Sequence, residues 1–276
     1  MVALRSTPVR GLETEWIDEG AGSPGRPVLF FIHGFPDDAR VWEEQIAHFS
    51  KEYRVIAPQL RGAGGSSAGT DRSRFSLDAV ALDHLEILRA ALPDEPESRV
   101  VVVGHDIGGP HAWHLARLLG PRLAGLVLIN APDLGQMARR FANPRQLLKS
   151  WYIGVILAPK IPELLLQRFG DRIFRGVDSR TESPSGLLGH YREAFAILRR
   201  HPARTLAGSI PKVEAPVLVL WGAKDPYLLP PSEGEIERLA ARPTIRILDG
   251  GHWPQRKNPQ KVNSLLEDFL RTEVHA

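Results

Sequence analysis

The 276-residue chain contains no cysteine. Disulfides, thiolate metal sites and cysteine nucleophiles are thereby excluded. Long apolar runs are also missing. The greasiest stretch, residues 151–166 (WYIGVILAPKIPELLL), is interrupted by Pro159, Lys160, Pro162 and Glu163. It is too broken to span a bilayer, so no stable membrane insertion is expected. The opening MVALRSTPVRGLETE has no apolar core of a secretory signal, and a cytoplasmic setting is the expectation. Neither sign of charge dominates: 35 Lys and Arg face 32 Asp and Glu, for a net +3. The arginines are scattered, with runs no longer than pairs such as Arg199–Arg200, and no basic stripe is interleaved with aromatics. A nucleic-acid partner is therefore not expected. No repeat, low-complexity tract or metal-ligand cluster is visible. Tyrosine is scarce, with only four in the chain, Tyr53, Tyr152, Tyr191 and Tyr227.

Hydrophobic residues make up 43% of the chain, enough for one large core or a core with a smaller insertion. Six short aliphatic runs read as strands: 28–33, 53–58, 99–104, 125–130, 216–222 and 244–249. Their near-continuous apolarity suits strands covered on both faces, as in a parallel sheet. Helical patterns lie between them. Residues 39–49 place Val41, Ile46 and Phe49 on one face. Residues 76–92 start at Ser76, a plausible N-cap, and point Leu77, Val80, Leu82, Leu85 and Leu88 inward. Residues 259–271 close the chain. This alternation predicts an α/β fold with a mostly parallel central sheet. Between Asn130 and Pro216 the rhythm stops, and only proline-punctuated helical fragments appear. The expected organisation is a core of residues 1–133 and 206–276, with 134–205 inserted as a helical cap over the sheet's C-terminal edge. Ligands of α/β enzymes bind at that edge.

Three loops that follow predicted strands carry polar residues. GHDIGG (104–109) is a strand–turn–helix elbow with Asp106 at its centre. WGAKDPY holds Asp225, and DGGHWP holds His252. A fourth loop, HGFPDD (33–38), can supply backbone N–H groups. Singly, each has a bland explanation. Asp106 could be a helix cap, Asp225 a turn residue before proline, and His252 a satisfied loop histidine. Together they stand in the chain order nucleophile, acid, histidine.

GHDIGG, HGFP, WGAKDP and GGHWP together resemble the α/β-hydrolase superfamily in its Asp-nucleophile branch, which holds epoxide hydrolases and haloalkane dehalogenases. The resemblance covers nearly the whole chain and is loosest in the cap. It implies the α/β-hydrolase fold, with Asp106 as nucleophile, His252 as the water-activating base and Asp225 as its orienting acid. It implies an oxyanion hole from the N–H groups of Phe35 and Ile107. His33, Pro36, Trp151 and Trp253 are expected around the substrate pocket. No cofactor and no metal are implied.

Elementary chemistry leads to the same reaction class. An aspartate is already anionic at neutral pH and needs no base to become a nucleophile. Attack on an acyl carbon would give a reactive anhydride. Attack on saturated carbon gives a stable alkyl ester, which a histidine-activated water can cleave. Epoxides and alkyl halides both offer a leaving group on saturated carbon.

The two leaving groups need different donors. An epoxide oxygen wants a protonated hydroxyl such as tyrosine. SWYIGVILAP and GHYREAF are similar to the paired cap motifs of epoxide hydrolases, which places Tyr152 and Tyr191 as oxirane-oxygen donors. The plain alternative is that both are amphipathic packers on cap helices. A halide wants indole or guanidinium N–H groups. The position after Asp106 is Ile107, and only Trp151 keeps the halide option open. The leading expectation is thus an epoxide hydrolase acting on a small apolar or aromatic epoxide, as a monomer or homodimer. A hydrolytic dehalogenase is the runner-up, and a non-catalytic receptor on the same scaffold is a third reading. A dinucleotide site is rejected because no G-x-G-x-x-G follows the first strand. The chain departs from the family pattern at Gln59, in APQLRGAGGSS, and at Asp133, in NAPDLG. Asp133 could serve as the acid in place of Asp225, although WGAKDP is the better match.

Overall fold

The computed structural model describes residues 3–69, 71–173, 184–201 and 211–275. Its centre is an eight-stranded sheet of β1 (Leu4–Val9), β2 (Leu12–Glu19), β3 (Val28–Ile32), β4 (Val55–Pro58), β5 (Val100–His105), β6 (Leu123–Ile129), β7 (Val217–Gly222) and β8 (Pro243–Leu248). The spatial order is β1-β2-β4-β3-β5-β6-β7-β8. β1 with β2 and β2 with β4 are antiparallel, and every other neighbouring pair is parallel. The six apolar runs are the six strands β3 to β8.

Period-two alternation sorts each central strand onto two cores. Phe30, Ile32, Val100, Val102, Leu126 and Leu128 face one side, together with α2 (Leu77–Ala91) and α3 (Gly108–Leu119). Leu29, Phe31, Val101, Val103, Val127 and Ile129 face the other. There they meet α1 (Glu43–Phe49) and a C-terminal helix, Pro259–Phe269. A strand buried on both faces has no position left for a polar residue, which is why these runs are unbroken.

Two features differ from the sequence expectations. The antiparallel pair β1–β2 was not foreseen, because LETEWIDE mixes charge with Trp16 and Ile17. The Asp18 side chain is nonetheless buried, held by a two-pronged hydrogen bond from Arg54 at 2.9 and 2.9 Å. In α2, Ser76 caps as expected, accepting from the Ala79 N–H. Leu82, however, is exposed, and Asp83 and His84 take buried places instead. The stripe can shift because Asp83 is paired with Arg61 and Arg10.

Between β6 and β7 the described residues carry only helices: α4 (Leu134–Arg140), α5 (Pro144–Lys149), α6 (Trp151–Leu157), α7 (Ile161–Ile173), a short 3₁₀ turn and α8 (Leu188–Arg200). Residues 174–183 and 202–205 of the expected cap lie outside the described residues. Ile156 of α6 and Leu188 and Tyr191 of α8 pack on Ile107, so these helices lie over the end of β5. No described helix is long and apolar enough to cross a membrane.

Candidate active site

β5 ends at His105, and α3 begins at Gly108. The two residues between make a turn so sharp that Asp106 takes φ +51°. Left-handed backbone is costly for most L-residues, and a short polar side chain such as aspartate tolerates it best. The turn is clamped from outside. A Cβ on Gly108 would stand 2.5 Å from the His33 carbonyl oxygen, and one on Gly34 would stand 2.5 Å from the Asp106 Cβ. These glycines let the HGFP loop press directly on the elbow, so the Phe35 N–H donates to Asp106 Oδ1 at 3.0 Å. Ile107 is the first residue beyond Asp106, at the mouth of α3.

The other two loops converge on the same point. His252 Nε2 lies 3.3 Å from Asp106 Oδ2. Its Nδ1 lies 2.8 Å from Asp225 Oδ2. Asp225 is held rigidly: its Oδ1 accepts from the N–H groups of Tyr227 and Leu228 at 2.7 and 3.0 Å. Its Oδ2 also accepts from Asn130 Nδ2 at 2.6 Å. The structure thus brings together the three residues singled out from the chain order.

Electrostatics follow from that burial and pairing. Burial opposes ionisation of Asp106, yet the His252 ring and the Phe35 N–H hold its carboxyl down to about 2. Burial likewise opposes a charged His252, but Asp225 and Asp106 raise it to about 10. Burial also works against the Asp225 anion, which His252, Asn130 and backbone N–H groups keep low. At neutral pH the site rests as carboxylate, imidazolium and carboxylate.

The α6 and α8 helices contribute the two tyrosines. The Tyr191 hydroxyl donates to Asp106 Oδ1 at 3.1 Å. Tyr152 hydrogen-bonds Tyr191, and its ring meets that of Tyr227 edge-on at 5.4 Å. Burial, and then the Asp106 charge, push both Tyr152 and Tyr191 well above the usual phenol value. Both therefore hold their protons at neutral pH. A cavity of about 50 Å³ opens where Asp106, Tyr152 and Tyr191 meet. Its other walls are almost wholly apolar, with Ile107, Leu134, Met137, Ile153, Phe195 and Leu228 among them.

The expected pocket residues fare differently. None of His33, Pro36, Trp151 and Trp253 lines this cavity. His33 is fully buried: Nε2 accepts from the Leu60 N–H at 2.9 Å, and Nδ1 lies 2.9 Å from the Gly34 carbonyl. It pins two loops together. Pro36 is buried behind Phe35 in the same loop. Trp151 is 73% exposed, because the amphipathic face of α6 turns Ile153 and Ile156 inward instead. Trp253 packs edge-on against His252 and donates from Nε1 to Asp37 at 2.9 Å.

The carboxylate on His252 Nδ1 is that of Asp225, not Asp133. Asp133 caps α4, accepting from Gly135 N–H at 2.8 Å, and lies 3.5 Å from Arg117. Gln59 supports a loop, accepting from the Ala39 N–H. Two contributing residues escaped the sequence reading. Asn130 sits at φ +46° at the end of β6 and joins β7 to Asp225, since its Oδ1 accepts from the Gly222 N–H at 3.1 Å. His105 donates from Nε2 to the His252 carbonyl at 2.9 Å. An asparagine just past a strand is a recognisable signal for left-handed backbone, whereas nothing near His105 in sequence points to His252.

The pattern of the alpha/beta hydrolase fold family matches residues 27–259. Among curated proteins, the chain is 30% identical over 275 residues to epoxide hydrolase 3 of Xenopus tropicalis, covering 92% of this chain and 74% of that protein. It is 28% identical over 286 residues to epoxide hydrolase 4 of Mus musculus, covering 92% and 76%. Among solved structures, one described among novel epoxide hydrolases from metagenomes of hot environments superimposes with a TM-score of 0.81 at 27% identity, over 98% of this chain and 99% of that one. The Bacillus megaterium epoxide hydrolase bound to an inhibitor shares the fold at a TM-score of 0.80 and 22% identity, over 97% of this chain and 100% of that one.

Proposed function

This chain belongs to the α/β-hydrolase fold family, in its epoxide hydrolase branch, and from that membership we propose that it converts an epoxide and water to a vicinal diol through an ester on Asp106. One observation carries the reading. A buried anionic Asp106 has a protonated tyrosine hydroxyl at 3.1 Å on one oxygen and an imidazole, oriented by a second carboxylate, at 3.3 Å on the other. The helices between β6 and β7 act as the cap, since they bring Tyr152 and Tyr191 to the nucleophile.

Oδ1 is held by the Phe35 N–H, which leaves Oδ2 to attack an epoxide carbon. The carbon–oxygen bond of the ring breaks, and its electron pair takes the proton of Tyr191 or Tyr152. Forming the ester removes the Asp106 charge. His252 then loses one of the two anions that raise it, and it passes its proton to the tyrosinate. Neutral His252 next takes a proton from water as the hydroxide adds to the ester carbonyl. The charge that builds on Oδ1 meets the N–H groups of Phe35 and Ile107. Collapse of the adduct releases the diol as an alkoxide, which takes the proton left on the regenerated Asp106 carboxyl. Asp106 returns as a carboxylate, His252 as an imidazolium, and no external acid or base is consumed.

The apolar walls suit a substrate without charge. The halide reading loses its one support, because Trp151 faces solvent rather than the cavity.

The test is His252→Gln incubated with a panel of aryl and alkyl epoxides. Intact-protein mass spectrometry should show one substrate mass added at Asp106, with little diol formed. Wild-type turnover in that variant would overturn the two-step mechanism. With the wild-type protein, halide release from matched haloalkanes and no diol from any epoxide would overturn the substrate class.

A further inference from the structure

Behind Tyr191 lies a buried pair of histidines that the reaction does not use. His111 Nε2 and His190 Nδ1 are 3.0 Å apart, and His190 Nε2 is 3.1 Å from the Arg61 carbonyl oxygen. Their rings meet edge-on, with 2% and 1% exposure.

Hydrogen-bond chemistry fixes the direction of this chain. A carbonyl oxygen only accepts, so His190 must carry its proton on Nε2. Its Nδ1 is then an acceptor, and His111 must donate from Nε2. Among the described residues the His111 Nδ1 has no hydrogen-bond partner. Only this pair of neutral tautomers satisfies both contacts. Burial agrees, lowering His190 to about 3 and His111 well below the ordinary imidazole value.

The chain also closes a circuit around the nucleophile. Asp106 Oδ1 accepts from Phe35, whose loop includes His33. His33 accepts from Leu60, the residue before Arg61. Arg61 accepts from His190, the residue before Tyr191, and Tyr191 returns to Asp106 Oδ1. His111 is three residues into α3, the helix that starts at the elbow, and so braces α8 against it.

We infer that His111 and His190 are positioning residues: a one-way hydrogen-bond chain that seats α8 so that the Tyr191 hydroxyl meets the oxygen leaving the epoxide. This rests on the proposed reaction, and it assigns the alkylation step, not ester hydrolysis, to the pair. Misplacing a reacting group by about 1 Å can cost up to a hundredfold in rate.

The experiment follows adduct formation over time in the His252→Gln protein, with and without changes at the pair. His111→Leu removes the donor while filling the space. His190→Leu removes both the donor to Arg61 and the acceptor for His111. Each should slow adduct formation by about tenfold or more, and the two together should do no more than one alone. His111→Gln, whose amide N–H reaches the place of Nε2, should recover most of the rate. Ester hydrolysis, followed in the His252-intact forms as the decay of adduct trapped by rapid quench after substrate is exhausted, should keep its wild-type rate constant. Additive losses, or no recovery with His111→Gln, would overturn the assignment. Imidazole ¹⁵N spectra of the wild-type protein give a readout free of substrate, since both rings should carry their proton on Nε2. A Nδ1–H tautomer of His190 would overturn the chain even where adduct forms normally. Failure of the His252→Gln parent itself to form any adduct would instead strike the reaction reading.

Discussion

Asp106→Asn removes one charge from the centre of the site while keeping its shape. The lost partner is 3.3 Å from His252 Nε2. Two unit charges at that distance interact by about 5 kcal/mol at an effective dielectric constant of ~20. That corresponds to a fall in the proton affinity of His252 of roughly 10³- to 10⁴-fold. In the unmodified protein His252 is raised to about 10. In the variant it should return toward the ordinary imidazole range, although Asp225 at 2.8 Å still supports the cation. The assay is a pH titration of the His252 ring by ¹⁵N NMR in both proteins, with the signal assigned from His252→Gln. Because an alkyl ester also neutralises Asp106, the variant stands in for the charge of the proposed intermediate. In the proposed reaction the same fall converts His252 from an imidazolium into a base at the moment water must be activated. An unchanged titration would refute the reasoning: the Asp106 charge would not set the basicity of His252, and esterification could not switch it.

Other consequences are open to direct measurement. Tyr191→Phe and Tyr152→Phe should each slow adduct formation, and the double variant should lose about 10²- to 10⁴-fold, the usual worth of a general acid; wild-type epoxide turnover in the double variant would remove both tyrosines from the mechanism. Stability should fall in acid, because His84, His105 and His190 are held neutral by burial at about 3. An unfolded chain protonates them from pH 6.5 downward, so each contributes stability above that point and loses about 2 kcal/mol of it by pH 5; a flat denaturation midpoint between these values would contradict the assignment. On the alkaline side the sign reverses, since the His252 contribution is complete below pH 6.5 and is lost as pH rises toward about 10. Gly108→Ala should cost about 1–3 kcal/mol in chemical denaturation, because its Cβ meets the His33 carbonyl oxygen at 2.5 Å and backbone must move; an unchanged midpoint would mean that the loop and elbow are not in close contact.

The sequence by itself determined the layered sheet and the order of the elements that carry the candidate site. Strands β3 to β7 announce themselves because burial on both faces forbids polar interruptions, and the half-exposed β8 by the aliphatic residues on either side of Arg246. Asp106, Asp225 and His252 are legible because each occupies a loop just past such a strand, and strand ends on one edge of a parallel sheet are neighbours in space. What depends on partners distant in the chain was decided only by the tertiary structure. The β1–β2 pair is hidden because Asp18 reads as a surface charge until Arg54 comes to meet it. Leu82 reads as core until Asp83 is neutralised by Arg61 and the helix turns. Trp151 and Tyr152 are adjacent and both aromatic, yet one faces solvent and the other lines the cavity with Asp106. The packing of Ile153 and Ile156 sets that rotation, which composition cannot show. Asn130, His105 and the His111–His190 chain act through single hydrogen bonds spanning 79 to 147 residues. No local pattern encodes such contacts, because a hydrogen bond is specified by where two atoms end up and not by their distance along the chain.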